Sequence, residues 1–125
     1  METHLSYLAW SALLCIVMWL PYVLERAQNW GLVAALGYPE NPPDPAPWAQ
    51  RLKKAHANMV ENLAAFTALV LIAHVTDVDA GVGAALFFYG RLVHAIVYTL
   101  GLPYLRTAAF LVSWIGMVVI FFQVI

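Results

Sequence analysis

The stretch Arg51-Leu52-Lys53-Lys54-Ala55-His56-Ala57-Asn58-Met59-Val60-Glu61-Asn62-Leu63-Ala64-Ala65-Phe66 runs directly into the apolar segment that ends near His74. Its first turns are polar and its last turns are apolar, with Phe66, Leu69, Val70, Leu71 and Ile72. Arg51, Lys54, Asn58 and Glu61 are spaced by three, four and three residues, which lines them up as one stripe along a helix. Such groups cost roughly 2.5–3.5 kcal/mol each at membrane depth, so they persist there only with a partner or a ligand. The stretch therefore reads as a membrane-spanning helix that carries one wall of a polar site.

Composition extends that reading to the whole chain. Of 125 residues, 63% are hydrophobic and 10% charged, with mean hydropathy +0.76. A soluble domain is nearer 45–50% apolar and about 25% charged. Residues 1–125 form a single domain, since four spans and one long loop account for them all. A net charge of −1 gives no sign of a nucleic-acid partner or of a polybasic lipid-binding tail. The lone Cys15 lies in an apolar run and reads as a small hydrophobe. The first apolar run has Glu2 and His4 before it and Pro21-Tyr22 after it, so it reads as a permanent span and not a signal peptide.

The expected spans are residues 5–24, 51–74, 80–100 and 104–125, with a loop over 25–50. Pro39, Pro42, Pro43, Pro45 and Pro47 keep regular helix out of the second half of that loop. Trp30 and Trp48 fit an interfacial aromatic belt, and Gly81 and Gly83 allow close helix contact. Arg26, Arg51, Lys53, Lys54 and Arg106 flank the first and third loops, while the second has only Asp77 and Asp79. By the positive-inside rule loops one and three face the cytoplasm, and short connections predict an all-α up-down bundle. Short loops and the lack of an organelle signal point to a bacterial inner membrane.

A second stripe lies on the third span, where Arg91, His94 and Tyr98 share one face. Arg106 opens the fourth span, with Phe110 and then Ser113 or Trp114 on following turns. Cations, an acid, an amide, an imidazole and a phenol at one end of the bundle suit a small anionic peptide-like ligand. Duller roles compete. Arg51, Lys53 and Lys54 could be topology anchors that snorkel to headgroups, and Glu61 with Arg91 could be an ion pair that sets helix register. His56 reads as a structural hydrogen-bond donor, His4 and His74 as interfacial, and Trp114, Phe121 and Phe122 as lipid-facing. No metal site is expected, because the four His are scattered and none pairs with a neighbouring acid or Cys.

The Arg51–Phe66 stretch resembles the second-helix signature of the MAPEG family, the membrane-associated proteins of eicosanoid and glutathione metabolism. Gly90-Arg91-Leu92-Val93-His94-Ala95-Ile96-Val97-Tyr98, followed by Pro103-Tyr104-Leu105-Arg106-Thr107, is similar to its third and fourth helices. The resemblance implies a homotrimer that binds glutathione between neighbouring subunits near the cytoplasmic face. On that basis Asn58 and Glu61 contact the peptide and its amine, and His94 and Tyr98 hold it from the third span. Arg106 pairs with the thiolate, Thr107 stands where some relatives carry Ser, and Arg51, Lys54 and Arg91 supply further charge. Three departures stand out: Ala57 where some members have a basic residue, Phe110 where some have Tyr, and a Tyr98–Arg106 spacing about one residue shorter than in some eicosanoid-type members.

The chemistry this implies is direct. A free thiol has a pKa near 8.5, and an adjacent cation lowers it. The thiolate then attacks a lipophilic electrophile or reduces a lipid hydroperoxide, with Thr107 as a hydrogen-bond donor to sulfur or developing charge. The apolar outer faces of spans one and four would admit the second, hydrophobic substrate. The alternative is a non-catalytic lipid-binding or accessory scaffold of the same fold. A small channel or transporter is disfavoured, because the polar stripes reach only partway along each helix.

Overall fold

A computed structural model describes residues 1–125 and contains helices as its only regular elements. They are α1 (Thr3–Val17), α2 (Trp19–Trp30), the single turn α3 (Leu32–Ala35), α4 (Pro47–Val75), α5 (Gly81–Leu100) and α6 (Pro103–Val124). Four spans are long and apolar enough to cross a membrane: Thr3–Trp30, which joins α1 and α2, then α4, α5 and α6. The chain is thus an all-α, multi-pass membrane bundle.

The break between α1 and α2 falls at Met18, and Pro21 is its cause. Proline has no N–H for the carbonyl of Val17, four residues back, and its ring crowds that carbonyl. A neighbouring helix completes the bend. His56 of α4 donates from Nε2 to the Cys15 carbonyl at 2.9 Å, and the Tyr22 hydroxyl donates to His56 Nδ1 at 2.8 Å. The structural donor role expected of His56 is the one it plays.

Helix boundaries differ from the sequence expectation around the first loop. The first span continues past Leu24 to Trp30, so Glu25 and Arg26 are helical, and α4 starts at Pro47 and not near Arg51. A charged residue marks where the hydrocarbon ends, and a helix is free to continue into water beyond it. Pro47 sits at the first helical position, where its missing N–H is no loss. Gly31, with φ of +86°, ends α2. The returning chain is tied to α2 by Asn29 Nδ2 to the Asp44 carbonyl (2.9 Å), Trp30 Nε1 to the Pro43 carbonyl (2.9 Å) and the Ala46 N–H to Glu25 Oε1 (3.1 Å).

The α5–α6 turn closes as a Schellman motif. Gly101 is left-handed (φ +78°), its N–H bonds the Tyr98 carbonyl and the Leu102 N–H bonds the Val97 carbonyl, each at 3.0 Å. Pro103 then starts α6. Helices α5 and α6 lie against one another through small residues: Gly83 faces Gly116 and Ile120, and Gly90 faces Ser113 and Ala109. Phe66 of α4 stacks on Phe87 of α5 at 3.8 Å between centroids, both fully buried. Only 24 of 125 residues are buried, and the exposed set is rich in Trp, Leu, Ile and Val, so the outside of the bundle is built for lipid or for other protein.

Candidate functional site

Arg91 is the largest fully buried side chain, 1% exposed, on the face of α5 turned toward α4. Its Nη2 donates to Asn58 Oδ1 at 2.7 Å and lies 3.3 Å from His94 Nδ1. Its Nε and Nη1 have no partner. Asn62, one turn on, donates from Nδ2 to the Asn58 backbone carbonyl at 2.8 Å and lies 3.4 Å from Asn58 Oδ1. Glu61 makes no ion pair with Arg91, so the register-setting pair weighed from the sequence is absent; an amide takes its place.

One and two turns further along α5 the polar face reaches the surface. The His94 ring meets Tyr98 edge-on with centroids 5.3 Å apart, and the Arg106 guanidinium lies 4.9 Å above the Tyr98 ring. Arg51 donates from Nε to the Thr99 carbonyl at 2.9 Å and rests against Gly101. Arg51, Tyr98, Gly101, Leu102, Pro103 and Arg106 enclose a hollow of about 210 Å³. Two guanidinium groups and a phenol line it without any acid, so it presents positive potential to an anion. Phe110 packs under this group with its ring 5.9 Å from the Arg91 guanidinium.

The stripe on α4 divides. Arg51, Lys54, Asn58 and Glu61 cover an arc of about 80° at 3.6 residues per turn, and that arc straddles the edge of the packed surface. Asn58 and Arg51 turn inward, while Lys54 and Glu61 are exposed. Lys54 instead lines a separate hollow of about 560 Å³ between α2, the first loop and α4, with Arg26, Glu25 and Lys53. Thr107 is exposed, and its hydroxyl donates to the carbonyl of Pro103 at 3.3 Å. The chain therefore joins Arg51, Asn58, Arg91, His94, Tyr98 and Arg106, and leaves Lys54, Glu61 and Thr107 on its surface.

Sequence reasoning missed two arrangements. Thr99 holds Arg51 through its backbone carbonyl, and a backbone acceptor leaves no mark in residue identity. At the far end of the bundle His4 and His74, seventy positions apart, approach to 3.4 Å with Glu2 beside both. His4 is 2% exposed, packed inside that end of the bundle, and the premise that the histidines are scattered fails in three dimensions.

No curated protein and no solved structure matches this chain significantly. A family model does match, over residues 4–125, and its range takes in all four spans, the first loop and both polar stripes. Four apolar helices with that match make the protein an integral membrane member of a glutathione-associated group: the chain belongs to the MAPEG family.

Proposed function

We propose that the protein is a membrane-embedded glutathione-dependent transferase or peroxidase that acts on lipophilic electrophiles or lipid hydroperoxides. The observation that carries this is the acid-free hollow in which Arg51 and Arg106 flank Tyr98, backed by the buried Arg91–Asn58–His94 group. Arg106 lowers the thiol pKa by stabilising the thiolate, and Thr107 supplies a hydroxyl one residue on. Arg91, His94, Tyr98 and Asn58 hold the tripeptide, with Arg51 meeting a carboxylate.

A homotrimer with the site between protomers accounts for the remaining residues. About 210 Å³ is below the 300–1,000 Å³ of a usual ligand pocket, so one chain offers half a site. Glu61 stands at the midpoint of α4, about 21 Å from either end, exposed on a stripe with Ala57, Ala64 and Ala68. A carboxylate there is costly against lipid, and small residues are what close helix contact requires. Covering this stripe with a second copy shelters Glu61 and brings it, with Lys54, to the ligand amine and carboxylates. The positive-inside rule puts the site at the cytoplasmic face, in keeping with a bacterial inner membrane.

The lipophilic substrate has a nearer route than the faces of spans one and four expected from the sequence. An apolar cleft of about 380 Å³ lies among α1, α4 and α5 at the Pro21 bend, lined by Leu14, Met18, Trp48, Leu92, Ile96 and Thr99. Thr99 also bonds Arg51, so cleft and cationic hollow share one wall.

The test is the ultraviolet difference absorbance of glutathione thiolate on binding to detergent-solubilised protein, with and without Arg106→Ala. Thiolate formation in the parent and its loss in the variant are expected. Equal absorbance in both removes Arg106 from this role. A thermal-shift series with glutathione, its oxidised form and unrelated tripeptides tests ligand class, because a ligand that binds the folded state raises apparent stability. No selectivity for glutathione would overturn the assignment.

A further inference from the structure

We propose that Glu2, His4 and His74 form a binding site for a divalent transition-metal ion of zinc type, at the end of the bundle opposite Arg106. The three ligand atoms are His4 Nε2, His74 Nδ1 and Glu2 Oε2. They are separated by 3.4 Å (His4 to His74), 3.0 Å (His4 to Glu2) and 3.4 Å (His74 to Glu2). Zinc bonds of about 2.0–2.1 Å at tetrahedral angles put neighbouring ligand atoms about 3.3–3.4 Å apart. The cluster already has that spacing, so one cation at its centre reaches all three atoms with little movement.

The surroundings suit a cation. A hollow of about 490 Å³, lined by Glu2, Thr3, His4, Asp77, Val78 and Asp79, opens beside the cluster. No Lys or Arg precedes Arg26, and none lies between Lys54 and Arg91, so the charged side chains at this end of the bundle are carboxylates, with the Met1 amino group as the one fixed cation beside them. Two imidazoles and one carboxylate form a borderline donor set that favours zinc-like ions over magnesium or calcium, and water supplies a fourth ligand.

His4 also sets the strength of the site. The Ala80 N–H points at His4 Nδ1 at 3.3 Å, which places the imidazole proton on Nε2 in the metal-free chain, between Glu2 and His74. Loading exchanges that proton for the cation and moves a proton to Nδ1, facing Ala80. The ring must turn slightly from Ala80, so the site binds more weakly than zinc centres whose second nitrogen donates to a carbonyl. Bound metal would pin the start of α1 to the end of α4.

The experiment uses untagged, chelator-washed protein in detergent, titrated with zinc(II) against a chromophoric chelator, with parallel thermal unfolding. One zinc per chain and a rise in unfolding temperature reversed by EDTA are expected. His74→Ala and Glu2→Gln, both at exposed side chains, should each weaken zinc binding by more than the roughly 10–100-fold that loss of a supporting group costs. In each variant the zinc-dependent rise should disappear, while unfolding without zinc stays close to that of the parent. Absence of stoichiometric uptake by the parent, or unchanged uptake in both variants, overturns the proposal.

Discussion

Arg91 makes the buried polar group testable without any ligand. Its guanidinium is 1% exposed and has one short hydrogen bond, 2.7 Å to Asn58 Oδ1, with two nitrogens unpartnered. Asn58→Leu leaves it only the 3.3 Å contact with His94. A hydrogen bond to a charged group contributes about 1.5–3 kcal/mol, and the ceiling is about 3–5 kcal/mol, the cost of stripping one partner from a buried ion pair. Asn58→Leu should therefore destabilise by about 1.5–3 kcal/mol. Arg91→Met in the Asn58→Leu background removes the stranded charge, and replacement of both partners by apolar groups approaches neutrality. The double variant should then be less destabilised than the sum of the two single effects, by a coupling of about 0.5–3 kcal/mol. Unfolding by SDS titration in mixed micelles measures all four corners of the cycle. Additivity within about 0.3–0.5 kcal/mol would mean that Asn58 does not hold Arg91.

Two more outcomes follow from packing. A Cβ at Gly116 would lie 2.5 Å from the Gly83 carbonyl oxygen and 2.9 Å from the Phe87 nitrogen. Backbone cannot rotate aside, so Gly116→Ala should cost about 1–3 kcal/mol, more than the roughly 1 kcal/mol gained in helix propensity; Gly37→Ala, nearly unobstructed, is the control, and a Gly116→Ala protein as stable as the parent would refute the close α5–α6 approach. His56→Ala strands the Tyr22 hydroxyl and the Cys15 carbonyl. It should cost about 1–3 kcal/mol and speed amide exchange selectively around Met18, and unchanged exchange there would separate His56 from the bend.

The bundle was legible in sequence because membrane burial selects composition over whole spans. Gly101-Leu102-Pro103 marked the last turn for a local reason, since Gly101 takes the left-handed position and Pro103 restarts the helix. Periodicity also placed Arg91, His94 and Tyr98 on one face. It could not divide the α4 stripe, because residue spacing fixes angle around a helix but not where the neighbouring helix stops covering it. That boundary sends Asn58 inward and leaves Glu61 outside. The meeting of His4 with His74 was out of reach for a different reason: it depends on where α1 starts relative to the end of α4, which no local pattern encodes.

Unequal helix lengths give the rim of the protein a terrace. Helix α5 ends level with Arg51, which its Thr99 carbonyl receives, while α4 rises one further turn, about 6 Å, to Pro47. A solute that reached the proposed hollow of Arg51 and Arg106 would therefore find a wall one turn high on the α4 side and a low sill at the α5–α6 hairpin.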